Sequence, residues 1–128
     1  MEQKNNKFTP IRLPKPDNTI RRKMYANSQI MHVYYQVRNG VKKLVVDFIV
    51  AEGKYKGFKL STGFYDSFKS RLRLSHLCSA VGVSGELKSP DQLIGKRVKL
   101  RVVPSVHNYM GKSYMNYRIT RFHPIAHK

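Results

Sequence analysis

The chain has 128 residues, enough for one domain with a single hydrophobic core and no need of staples. Apolar residues make up 41% of it, which excludes a disordered chain, while 25 Lys and Arg against 7 Asp and Glu give a formal charge of +18. Self-repulsion on that scale calls for a polyanionic partner, with nucleic acid ahead of an anionic membrane surface. Cys78 is the lone cysteine, so no intramolecular disulfide forms, in keeping with a reducing cytoplasm. The opening MEQKNNKFTPIRLPKP lacks the apolar run of a secretion signal, and no stretch approaches the ~18 apolar residues of a membrane span. The expectation is a soluble protein of the cytoplasm.

Residues 1–24 read as a flexible basic arm. Pro10, Pro14 and Pro16 interrupt regular structure, and Lys4, Lys7, Arg12, Lys15, Arg21, Arg22 and Lys23 supply charge. Such an arm either grips phosphates or serves as a solvated tail. The folded domain is expected over residues 25–123, with 124–128 as a short tail. Its first strand is Ser28–Arg38, with Met31, Val33, Tyr35 and Val37 on one face and Ile30, His32, Tyr34 and Gln36 on the other. Asn39-Gly40 follows, the strongest short-range hairpin pattern.

The second strand, Val41–Glu52, turns Leu44, Val46, Phe48 and Val50 inward, and Val45 and Ile49 imply cover on its other side as well. EGKYKG is a glycine-bounded turn, and Phe58–Tyr65 is the third strand, with Gly63 marking a bulge or a close backbone approach. Asp66 or Ser67 can cap the helix that follows. Its apolar stripe is Leu74, Leu77, Cys78 and Val81, extended by Phe68 and Leu72; Lys69, Arg71, Arg73 and His76 lie off it, and Gly82 ends it. A polar link and Ser89-Pro90-Asp91 lead to the last two strands, Arg97–Pro104 and Ser113–Phe122. Their connecting loop carries His107, Asn108, Tyr109, Gly111 and Lys112. Strand, strand, strand, helix, strand, strand is the order of the OB fold, a mostly β, five-stranded barrel with one α-helix between strands 3 and 4. An SH3-like barrel and an open α+β sheet are the alternatives.

In the fourth strand Val98, Leu100 and Val102 alternate with Arg97, Lys99 and Arg101, and no acidic residue follows Asp91. That hairpin therefore shows a row of cations with no internal partner. A single nucleic-acid strand offers phosphates and flat unpaired bases, so its binder needs cations with aromatic rings between them. The candidates at the sites where OB folds bind are Arg38, Lys42 and Lys43 in the first loop, and Tyr55, Lys56 and Lys59 in the middle strands and their turn. The last hairpin adds Lys99, Arg101, His107, Tyr109, Lys112, Tyr114 and Arg118. Tyr109 and Tyr55, at turn tips among Lys and Gly, suit base stacking; Phe48, Phe58, Phe64 and Tyr35 suit the core, with Tyr34 between the two.

From Ser28 to Phe122 the chain resembles the small OB-fold single-stranded-DNA-binding proteins of bacteriophages and related mobile elements. The resemblance rests on the apolar strand running into EGKYKG, the helix ending LCSAVGV, and LIGKRVKLRV with a tyrosine- and glycine-bearing loop beyond. It implies sequence-tolerant binding of single-stranded DNA in replication or recombination within a bacterial host cell, with replication or recombination proteins as further partners. Cellular single-strand-binding proteins usually end in an acidic recruiting tail, whereas this chain ends HPIAHK.

Nothing in the residues points to catalysis, a cofactor or a metal. His76 and Cys78 fall on different sides of their helix, and no second pair has zinc-ligand spacing. Asp47, Glu52, Asp66, Glu86 and Asp91 are scattered rather than clustered for metal-assisted phosphodiester chemistry, and Asp47 reads as the surface partner of a lysine. The chain reads as a binder and not an enzyme. Structured RNA of the ribosomal or translation-factor kind is a second ligand for the same charge, and an adaptor or inhibitor docking on a replication enzyme is a third reading. Paired barrel edges allow a homo-oligomer, which no residue decides.

Overall fold

The computed structural model describes residues 9–12 and 20–125; the predicted arm at 1–8 and 13–19 and the tail at 126–128 lie outside them. Five antiparallel strands run Met24–Arg38 (β1), Val41–Val50 (β2), Lys59–Tyr65 (β3), Arg97–Tyr109 (β4) and Lys112–His123 (β5). One helix, Phe68–Ala80 (α1), lies between β3 and β4, with a short 3-10 turn at Pro90–Gln92. The sheet order is β3-β2-β1-β4-β5. The protein is thus mostly β, with the OB-like arrangement that its element order predicts. No helix among the described residues is long and apolar enough to cross a membrane.

The inner face follows from alternation, once two irregularities are counted. In β1 the residues Ala26, Ser28 and Ile30 are buried, but the register slips between Ile30 and His32, so Met31 bulges outward and Val33 is the next buried position. In β5 the slip opposite Arg101 and Val102 makes Thr120 the extra residue, which brings both Ile119 and Phe122 inward. The core gathers these with Val46, Phe48, Val50, Leu60, Phe64, Val98, Leu100 and Val102, and with Leu77 and Cys78 of α1. Each such large side chain contributes about 1.5–3 kcal/mol through its burial. The core also reaches into the stretch read as an arm, since Ile20 is fully buried and β1 starts at Met24.

The helix is capped by Ser67, whose Oγ accepts from the Ser70 amide at 3.2 Å, one of the two caps expected. Its C-terminus closes with Val83 N donating to Cys78 O at 2.8 Å. Phe68 and Leu72, expected to extend its apolar stripe, are exposed. Arg73, expected off that stripe, goes inward instead. One of its terminal nitrogens donates to Thr62 Oγ1 and to Ile119 O, both at 2.6 Å, and the other to Gly63 O at 3.4 Å. The guanidinium also lies 4.9 Å from the Phe64 ring and 5.4 Å from that of Phe122. Arg73 thereby ties β3 to β5, the two edges of the sheet. Ring pairs extend the seam: Phe58 meets Tyr117 edge-on at 5.1 Å and Phe64 meets Phe122 at 6.2 Å. Both strands run the same way along it, and the sheet curls round to bring its edges together.

Candidate nucleic-acid interface

The β4–β5 hairpin differs most from expectation. Residues read as a loop, His107 to Lys112, are paired instead: His107 faces Tyr114, Asn108 faces Ser113 and Tyr109 faces Lys112. Only Met110 and Gly111 lie outside the ladder. Both have positive φ, 51° and 76°, the conformation of the two-residue turn that matches strand twist. The ladder continues outward through Val103–Arg118, Ser105–Asn116 and His107–Tyr114, so the hairpin is a ribbon whose outer part is exposed.

Pairing residues share a face, and β4 keeps strict alternation from end to end. The outward set of β4 is Arg97, Lys99, Arg101, Val103, Ser105, His107 and Tyr109; that of β5 is Lys112, Tyr114, Asn116 and Arg118, then Arg121 and His123 beyond the bulge. Lys99, Arg101, His107, Tyr109, Lys112, Tyr114 and Arg118 therefore fall on one face. Arg97 to Tyr109 covers about 40 Å at ~3.3 Å per residue.

The neighbouring start of β1 widens this face. Tyr25 lies opposite Arg101, Asn27 opposite Lys99 and Gln29 opposite Arg97. Tyr25 is exposed, and its ring sits 5.7 Å from that of His123, tilted. Sequence reasoning passed over Tyr25 by starting the strand at Ser28, although Tyr25, Asn27 and Gln29 alternate with Ala26, Ser28 and Ile30 as a strand requires. Arg101 is steadied by its donation to Thr120 Oγ1 at 2.9 Å, at the bulge. Arg118 acts on the Arg73 guanidinium, which burial first and that neighbouring charge second hold below the usual arginine value. Among the described residues, none of Arg97, Lys99, Arg101, Lys112, Arg118 and Arg121 has a carboxylate partner. Glu52 reaches this side by accepting from Asn27.

The other candidates sit elsewhere on the sheet. Arg38 and Lys43 line an open pocket of about 260 Å³ with Gln36, Asn39, Val41 and Tyr65, at the β1–β2 turn. Lys43 lies across Gly63, where a Cβ would stand 2.4 Å from Lys43 Cδ, and its ammonium is 5.6 Å from the Tyr65 ring. The close approach expected at Gly63 is thus that of a lysine stem. Lys42 points to the inner side of the same hairpin, 4.1 Å from the centre of the Tyr35 ring. Tyr35, expected in the core, is 61% exposed because the hairpin overruns the core at that end.

Lys59 lines an open pocket of about 430 Å³ with Met31, His32, Asp47, Ile49 and Ser61. There Asp47 accepts from Ser61 Oγ at 2.8 Å and lies 3.8 Å from His32 Nδ1, rather than pairing with a lysine. Lys56 is exposed in the 51–57 turn, but Tyr55 of that turn is half-buried against the core. Its ring is therefore a weaker platform than its place in the sequence implied.

Chemically, the outer face of β4, β5 and the start of β1 combines positive charges with flat rings open to solvent. Among the described residues no group of three His, Cys, Asp or Glu is placed to hold a metal ion. No protein-family model and no curated protein matches the chain.

Proposed function

We propose that this protein binds single-stranded DNA without strong sequence preference and serves replication or recombination of a phage or mobile element in a bacterial cytoplasm. The observation that carries the reading is the shared face of Lys99, Arg101, His107, Tyr109, Lys112, Tyr114 and Arg118, joined by Tyr25, whose cations have no carboxylate partner among the described residues. Phosphates take the cations and unpaired bases take the rings. Each stacked base contributes about 1–3 kcal/mol, whatever its identity, because every base has a flat face. A duplex keeps its base faces stacked on one another, so only a single strand can give the rings of this face bases to stack on. The protein acts by binding and not by catalysis.

The test is binding of labelled single-stranded and duplex DNA, and of single-stranded and folded RNA, of equal length at two salt concentrations. The proposal requires single strands, including oligo-dT, to bind more tightly than duplex, with an affinity that falls as salt rises. Indifference to oligo-dT at low salt would refute it, and tighter binding of folded RNA would move the ligand to that class.

A further inference from the structure

Two of the hairpin turns of this chain, each of two residues, share their φ angles and differ in residues. At the β1–β2 turn Asn39 and Gly40 have φ of 52° and 76°; at the ribbon tip Met110 and Gly111 have 51° and 76°. Asparagine suits the first position, because its short polar side chain tolerates the left-handed region. Methionine does not, since its Cβ crowds the following carbonyl oxygen, and it lacks the local hydrogen bond that compensates asparagine. The same side chain is 84% exposed, so packing gives nothing back. The tip thus holds an apolar side chain in an unfavourable conformation, in open solvent, next to Tyr109 on the face described above. The turn requires this conformation but not a methionine in it, and an apolar side chain kept there exposed and at a cost points to use at a ligand.

Resting on the single-strand reading above, we infer that Met110 is a wedge that enters between two adjacent bases of the bound strand. The chemistry fits a nucleobase stack in three respects. The side chain is unbranched and flexible enough to slide between planes, and its sulfur makes favourable contacts with aromatic rings. Apolar side chains, methionine among them, are the type that nucleic-acid binders insert at base steps. The turn carries it beyond the last ladder pair, Tyr109–Lys112, so it leads while Tyr109 and Lys112 hold the flanking base and phosphate. The wedge ends the stack that Tyr109 and Tyr114 support and fixes where the strand leaves the ribbon.

The experiment uses the full chain, its Met110→Asn and Met110→Leu variants, and a dT-rich oligonucleotide carrying one 2-aminopurine, whose fluorescence rises on unstacking. Met110→Asn keeps the turn and removes the wedge. Its urea midpoint is expected to equal or exceed that of the wild type, while its affinity falls about two- to tenfold, the range of a sulfur–aromatic contact. The fluorescence rise on binding is expected with the wild type and Met110→Leu and absent with Met110→Asn. Unchanged affinity and an unchanged rise in Met110→Asn would overturn the inference, and so would a drop in its urea midpoint, which would make Met110 a structural residue. A wild-type protein that binds no oligonucleotide overturns the single-strand reading itself, which the wild-type titration alone reveals.

Discussion

Replacing Lys112 and Arg118 together by alanine tests whether the outer face of the ribbon carries the phosphates. Both side chains are exposed on β5, and neither makes a hydrogen bond or ion pair among the described residues. The fold should therefore stay within about 0.5 kcal/mol of the wild type. Counterion release from a single strand contributes a slope of about −0.7 in log K against log salt for each phosphate held. One phosphate on each of Arg97, Lys99, Arg101, Lys112, Arg118 and Arg121 gives a wild-type slope of roughly −4, and the double variant roughly −3. On that term alone the variant binds about 70-fold more weakly at 50 mM salt and about 10-fold more weakly at 200 mM. Fluorescence anisotropy of a labelled oligo-dT across that range reads both quantities. As a control, Lys69→Ala with Lys88→Ala removes the same charge from α1 and the polar link and leaves the slope alone. Parallel lines for wild type and the ribbon variant, however far apart, would refute the reasoning, because a lost contact must change the gradient.

Three further outcomes are expected. Tyr109→Ala and Tyr25→Ala each weaken binding about tenfold, equally for oligo-dT, oligo-dA and oligo-dC, given 1–3 kcal/mol per stacked base; loss confined to one base would mean edge recognition instead. Arg73→Ala lowers stability to urea by about 3 kcal/mol, since it removes charged hydrogen bonds to both edge strands, and Arg73→Lys restores little because it lacks the planar fork; a change below about 1 kcal/mol would show that the seam holds without it. Burial raises the Cys78 thiol, so from the unfolded thiol value up toward the folded one only the unfolded chain has lost the proton, and stability falls as pH rises through that window. The stability gap between wild type and Cys78→Ala, measured by urea unfolding, should therefore narrow from pH 7 to pH 10, and a constant gap would contradict it.

Periodicity, two for the strands and about 3.6 for the helix, was enough to find the five strands, the helix and the cationic row of β4, because it depends on residue type alone. It failed where a single residue breaks step. The bulges at Met31 and Thr120 have no compositional mark, yet each exchanges inside and outside for the rest of its strand, which is how Ile119 and Phe122 both reach the core. Tyr35 alternates correctly with Val33 and still ends in solvent, since patterning gives a side and not how far the core extends. The ribbon was read as a loop because its turn is Met-Gly rather than Asn-Gly and its outer pairs are not apolar. Arg73 looked like any solvated helix charge; only the curled sheet reveals two strand edges within its reach.

The ribbon beyond Tyr117 is fastened to the domain mainly by its own ladder, so its length is nearly independent of the barrel's folding. Lengthening it by one residue in each strand would turn the next pair's rings and charges to the opposite side, whereas two per strand preserve their aspect and extend the reach by about 7 Å. Occluded site size should consequently change in discrete steps, and insertions of even size at this hairpin offer a way to set how many nucleotides one molecule covers.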